Sequence, residues 1–201
     1  MNTIRSVCVY CGSSPGRSPA YIAAARALGR SIGDAGLELV YGGGTKGVMG
    51  AVSDAVLTSG GKVTGIIPQF LIDMEATERE LKRLDELIVT ADMHERKHRM
   101  FQRSDAFVAL PGGIGTLEEL VEIMTWSQLG QHEKPVVIAN VDGFWDPLAR
   151  LFDHMSEEGF LHSADRVKPL VVDDVEDIVP MLIKHGADGE DGGRREIIER
   201  M

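Results

Sequence analysis

The chain has 201 residues, 43% of them hydrophobic and 26% charged, which suits one soluble globular domain with a full core. Its net charge of −10 argues against non-specific binding to nucleic acid or to an anionic membrane, so an anionic ligand needs a local positive site. No stretch approaches the roughly 18 apolar residues of a membrane span. The N-terminus lacks the charged and then apolar pattern of a secretory leader, which makes the cytoplasm the expected location.

Apolar runs predict strands near 4–10, 37–41, 62–67, 86–90, 105–110, 135–140 and 167–172. Helical periodicity predicts helices near 18–35, 46–59, 92–104, 115–130, 145–158 and 174–185. The strands are continuous Val- and Ile-rich runs, as when both faces of a parallel sheet are covered. This alternation predicts an α/β protein: a single doubly wound, Rossmann-like domain over residues 1–185 with a mostly parallel sheet. Residues 186–201 mix glycine with charge and read as a flexible C-terminal tail.

The first strand, Ser6-Val7-Cys8-Val9-Tyr10, runs into Cys11-Gly12-Ser13-Ser14-Pro15-Gly16. Cys8 and Cys11 form a C-x-x-C, but Cys8 falls inside the strand, whereas a thioredoxin-type pair sits at a helix start. No second cysteine pair completes a zinc site, and buried strand cysteine is the better reading. The second strand leads through Tyr41-Gly42-Gly43-Gly44-Thr45-Lys46-Gly47-Val48-Met49-Gly50 into an amphipathic helix. That loop is neither a P-loop nor a dinucleotide fingerprint. Lys46 either neutralises a phosphate or is an ordinary turn lysine. The stretch from Pro68 to Asp85 is irregular and charged, and reads as a flap beside a site or as a solvated face.

Met93-His94-Glu95-Arg96-Lys97-His98-Arg99-Met100 opens the next helix, with Asp92 as its N-cap. Basic residues in a first turn oppose the helix dipole, so helix stability does not explain Arg96 and Lys97, whereas a bound anion does. Arg96 has the rigid fork that suits phosphate or carboxylate. His94 and His98 lie one turn apart, yet no third metal ligand is apparent.

The most informative stretch is Pro111-Gly112-Gly113-Ile114-Gly115-Thr116-Leu117-Glu118-Glu119, between the buried strand 105–110 and an apolar helix. Strand, glycine turn and helix N-terminus in that order make an anion site, with free amides and the dipole facing the ligand. Glu119 lies one turn beyond Thr116, and a carboxylate beside a phosphate cradle suggests chemistry as well as binding. Alternatively, Thr116-x-x-Glu119 is a capping box and Gly115 a packing glycine. Three small-residue loops, each after a strand, share the carboxyl edge where open α/β sheets bind ligands.

In combination these segments resemble the Lonely Guy (LOG) family, cytokinin riboside 5′-monophosphate phosphoribohydrolases often mislabelled as lysine decarboxylases. The resemblance runs from Val7 to about Val141 and includes Thr125-Trp126-Ser127-Gln128-Leu129-Gly130 and Asn140-Val141-Asp142-Gly143. It diverges most between Gln69 and Asp85, a region expected to border the base pocket, which leaves the preferred base open. It implies hydrolysis of the N-glycosidic bond of a nucleoside 5′-monophosphate such as AMP, giving free base and ribose 5-phosphate. It implies Arg96 and Glu119 as the catalytic pair, and Gly112, Gly113, Gly115 and Thr116 as the phosphate-binding turn. Gly43, Gly44, Thr45 and Gly47 match the second glycine loop, and Ser14, Met93 and Lys97 are further expected substrate contacts. No metal or redox cofactor is expected, and the expected partner is a second copy in a homodimer. Trp126 then either lines that interface or fills the core. A pyridoxal decarboxylase needs a Schiff-base lysine in a suitable setting, which Lys46, Lys97 and Lys134 lack. The alternative is a non-catalytic nucleotide-binding or sensor module of the same fold, which has no use for Glu119.

Overall fold

The computed structural model describes residues 3–161 and 169–187. Its strands are β1 (Ser6–Tyr10), β2 (Glu38–Tyr41), β3 (Lys62–Pro68), β4 (Glu86–Thr90), β5 (Ala106–Ala109), β6 (Val136–Ala139) and β7 (Leu170–Val172). They form one parallel sheet in the order β4-β3-β2-β1-β5-β6-β7. The chain moves outward from β1 to β4, then returns to the other side of β1 to lay down β5. The direction therefore reverses between β1 and β5, and a crevice opens there at the carboxyl ends of the strands.

The helices are α1 (Pro19–Asp34), α2 (Gly47–Thr58), α3 (Ile72–Glu75), α4 (Glu78–Leu81), α5 (Met93–Arg103), α6 (Ile114–Gln128), α7 (Asp146–Glu157) and α8 (178–187). Successive strand residues point to opposite faces, so Val7 and Val9 pack with Leu28, Val52 and Ile178 on one side. Cys8 and Tyr10 pack with Met100, Leu120 and Ile123 on the other. These two cores, one per face, are why the strands read as unbroken apolar runs.

The expected fold class is the observed one. The stretch from Pro68 to Asp85 is more ordered than its composition suggests: a 3-10 turn (Gln69–Leu71) is followed by α3 and α4. The strand expected from 167 is seen from Leu170, since 162–168 lie outside the described residues. The helix expected over 174–185 is a 3-10 turn (Val175–Asp177) followed by α8. Most of the tail expected from 186 lies outside the described residues, while 186 and 187 are still helical.

Candidate active site

The loops after β1 and β5 meet at the crevice, where the Gly12 amide donates to the Pro111 carbonyl at 3.2 Å. A Cβ on Gly112 would collide with Thr116 and stand 2.8 Å from the Gly12 amide nitrogen, so Gly112 is glycine to let the two loops touch. Gly113 is the N-cap of α6 and has no side chain to cap it. Thr116 is therefore already inside the helix, and the capping-box reading of Thr116 and Glu119 fails: the helix starts too early for Glu119 to reach its first amides. The first-turn amides are left for a ligand. A Cβ on Gly113 or Gly115 would meet nothing within 4 Å among the described residues, so no packing demand there explains either glycine.

Arg96 reaches the same space from α5, whose N-cap Asp92 accepts from the Glu95 amide at 2.8 Å. Its Nε donates to the Ile66 carbonyl and its Nη2 to the Gly42 carbonyl, both at 3.2 Å. Any Cβ at position 42 would run into that guanidinium, which accounts for Gly42. Arg96 is 6% exposed and Glu119 7%, and Arg96 Nη2 stands 4.0 Å from Glu119 Oε1. Burial pushes the Glu119 carboxyl up to about 7, while the Arg96 charge pulls it down. Cys8 and Cys11 are free and buried, and burial holds both thiols far above their ordinary range. Neither is a nucleophile.

The cleft between these groups has a volume of about 280 Å³. Of the residues singled out from sequence, Met93, Arg96, Gly113, Gly115, Thr116 and Glu119 line it. Cys11, Gly12, Ser13 and Gly42 of the first two loops line it as well, while the other expected substrate contacts do not. Ser14 is exposed on the loop after β1. Gly47, at φ 56°, packs against Ser13 and Ser14 so closely that a Cβ has no room. Gly43 faces Ile67 and Gly44 faces Met49. Thr45 donates its amide to the Glu75 carbonyl at 2.9 Å and accepts from the Thr77 amide at 3.0 Å. Lys46 is a tether, its Nζ donating to the Met74 carbonyl at 3.2 Å.

Lys97 turns away from the cleft and bridges two helices, with Nζ 2.5 Å from Glu118 and 3.0 Å from Glu122 on α6. Burial disfavours its charge, but these two carboxylates outweigh that and hold its pKa above the ordinary value. His94 and His98 are exposed on α5. Among the described residues no group of three or more His, Cys, Asp or Glu side chains is placed to hold a metal. Trp126 is half-buried and packs edge-on to Phe101, ring centres 5.0 Å apart.

The cleft also holds Glu75, from the end of α3, a residue of the charged stretch 68–85 that is not among the expected substrate contacts. The available signal was an acidic residue in the charged stretch following a strand at the carboxyl edge.

A family described as "Possible lysine decarboxylase" matches residues 49–182. A probable cytokinin riboside 5′-monophosphate phosphoribohydrolase of Oryza sativa subsp. japonica is 45% identical over 92% of this chain and 79% of its own length. A cytokinin riboside 5′-monophosphate phosphoribohydrolase of Arabidopsis thaliana is 49% identical over 81% of this chain and 74% of its own. Among solved structures, the protein titled TM1055 aligns with a TM-score of 0.67 and 28% identity, covering 90% of this chain and 99% of that one. The molybdenum cofactor binding protein of Rippkaea orientalis aligns with a TM-score of 0.66 over 89% of this chain and 95% of that one. Its 23% identity shows a shared fold alone. With near-half identity to such relatives over most of its length, the chain belongs to the Lonely Guy family.

Proposed function

We propose that the protein hydrolyses the N-glycosidic bond of nucleoside 5′-monophosphates, cytokinin riboside monophosphates and AMP among them, to free base and ribose 5-phosphate. The observation that carries this reading is Glu119: a buried carboxyl opposite Arg96, one helical turn beyond an open anion site. Phosphate on the uncapped end of α6, at Gly113, Gly115 and Thr116, fixes the ribose with its anomeric carbon towards Glu119. As a carboxylate, Glu119 takes a proton from the attacking water while the bond from C1′ to the base breaks. The bonding pair leaves with the base, and Glu119 returns the proton to the departing nitrogen. Its charge also offsets the positive charge that develops on the sugar. A carboxyl that titrates near 7 is suited to taking and giving one proton.

The decarboxylase description fits the geometry poorly. Among the described residues no lysine lines the cleft: Lys46 and Lys97 are tied as above, and Lys134 donates to the Phe101 carbonyl at 2.8 Å. A sensor module of the same fold has no need of Glu119 beside a phosphate. The reading extends to a cytoplasmic homodimer, supported by two free thiols and by the exposed apolar side chains of Val121 on α6 and Leu129 just beyond it.

Chromatographic detection of free base, after incubation with AMP and separately with isopentenyladenosine 5′-monophosphate, tests the reading. Release that Glu119→Ala abolishes while nucleotide still binds is the expected result. Turnover retained in that variant, or tight binding without release by the unaltered protein, overturns it. Arg96→Ala is expected to lose at least about a hundredfold in kcat/KM, or about 2.7 kcal/mol of transition-state stabilisation.

A further inference from the structure

Among the described residues lining the cleft, two are acidic, Glu119 and Glu75. The mechanism above uses only Glu119. Glu75 Oε2 is buried and has no hydrogen-bond partner among the described residues. A buried carboxylate oxygen left unpaired is costly, so its persistence calls for a partner that arrives with the ligand.

The backbone around Glu75 is held firmly for so short a helix. The Glu75 carbonyl accepts from the Thr45 amide at 2.9 Å, and the Thr77 amide donates to Thr45 Oγ1 at 3.0 Å. One residue before it, the Met74 carbonyl accepts from Lys46 Nζ at 3.2 Å. The second glycine loop thus clamps the chain on both sides of Glu75 and aims its side chain into the cleft. This gives the loop a purpose its sequence does not show: Thr45 and Lys46 hold α3 and do not line the cleft themselves.

We propose that Glu75 accepts a hydrogen bond from a ribose hydroxyl of the bound nucleotide, an inference that rests on the phosphoribohydrolase reading. An ionised carboxylate only accepts, so its partner must carry a donor, and a nucleoside monophosphate offers its ribose hydroxyls and any exocyclic amine of the base. Position decides between them. Glu75 is near enough to Glu119 for its charge to raise the Glu119 pKa. Both carboxyls line one cleft of about 280 Å³. With the anomeric carbon set against Glu119, the 2′- and 3′-hydroxyls are the donors on the reacting side of the nucleotide, whereas the exocyclic amine of adenine sits at the far side of the ring from the scissile bond. Glu75 is accordingly a residue that selects ribose over deoxyribose.

The test is kcat/KM for base release from AMP, its 2′-deoxy and 3′-deoxy analogues and purine riboside 5′-monophosphate, in the unaltered protein, Glu75→Ala and Glu75→Gln. Glu75→Ala is expected to lose about thirtyfold on AMP, the effect of one hydrogen bond to a charged group, and under about threefold on the analogue lacking the contacted hydroxyl. Glu75→Gln keeps the shape and one acceptor oxygen, so it loses in the same pattern by a smaller factor and serves if the alanine variant unfolds. Equal losses on all four nucleotides overturn the assignment. So does a loss that vanishes only on purine riboside 5′-monophosphate, which would make the exocyclic amine the partner. Both of those outcomes leave the phosphoribohydrolase standing. Failure of the unaltered protein to release base from any of the four overturns that reading and this one with it.

Discussion

Arg96 Nη2 and Glu119 Oε1 stand 4.0 Å apart, close enough to attract as charges and too far to hydrogen-bond. The guanidinium is held instead by the carbonyls of Ile66 and Gly42, so it lowers the Glu119 pKa without occupying the carboxylate. Burial wins the contest and leaves Glu119 at about 7. If Glu119 acts as a carboxylate, kcat/KM rises with pH through about 7, above the second phosphate ionisation of the substrate near about 6. Removing the guanidinium removes the influence that favours the charged form, so Arg96→Ala moves the rising limb to higher pH. A pH profile of both proteins checks this, and a flat unaltered profile between about pH 6 and 8 would contradict it.

Lys97, the neighbour of Arg96, ties α5 to α6 through Glu118, the neighbour of Glu119, and through Glu122. Lys97→Met removes both ion pairs and leaves two carboxylates facing each other on α6. A loss of about 1 kcal/mol in stability is expected, because Lys97 is buried while Glu118 is half-exposed, so water screens part of the attraction. Since Lys97 does not line the cleft, KM for the nucleotide should change little while kcat falls as the pair drifts out of register. A large rise in KM alone would return Lys97 to the substrate.

Much of this was legible in the sequence because it is local. Unbroken apolar runs such as Phe107-Val108-Ala109 mark strands covered on both faces, and Asp92 announces α5 through its cap to Glu95. Arg96, Glu119, Gly113 and Gly115 come together because the strand order brings their loops to one edge, which the alternation of elements already implies. Other residues take their places through tertiary contacts. Lys97 finds its partners only once α5 lies beside α6, and Thr45 and Lys46 find theirs only once α3 folds onto them. The place of Glu75 on the cleft was hidden because four residues of helix, Ile72–Glu75, are too few to show a period.

Gly115 separates binding from stability. It lies in the first turn of α6, and an added Cβ would meet nothing within 4 Å. Alanine in a helix is favoured over glycine by up to about 1 kcal/mol, so Gly115→Ala is expected to leave the unfolding midpoint unchanged or raise it. The same methyl stands where phosphate approaches the amides, so KM for AMP should rise by about tenfold, the scale of one weakened contact. A stabilised variant with normal KM would move the phosphate elsewhere.

Glu119 itself should cost stability, and pH shows by how much. Its carboxyl titrates at about 7 in the folded protein against an ordinary 4.5. Between those values the folded state binds more protons than the unfolded state, so this group favours folding less as pH rises through that window. Above about 7 the penalty is complete and amounts to about 3 kcal/mol at most. Glu119→Gln mimics the protonated side chain and escapes it. The variant is therefore expected to be more stable than the unaltered protein at about pH 8, with the advantage shrinking towards about pH 5. Chemical denaturation at the two pH values measures the difference. An advantage that does not depend on pH would mean that packing around position 119, and not a buried charge, sets the stability of the site.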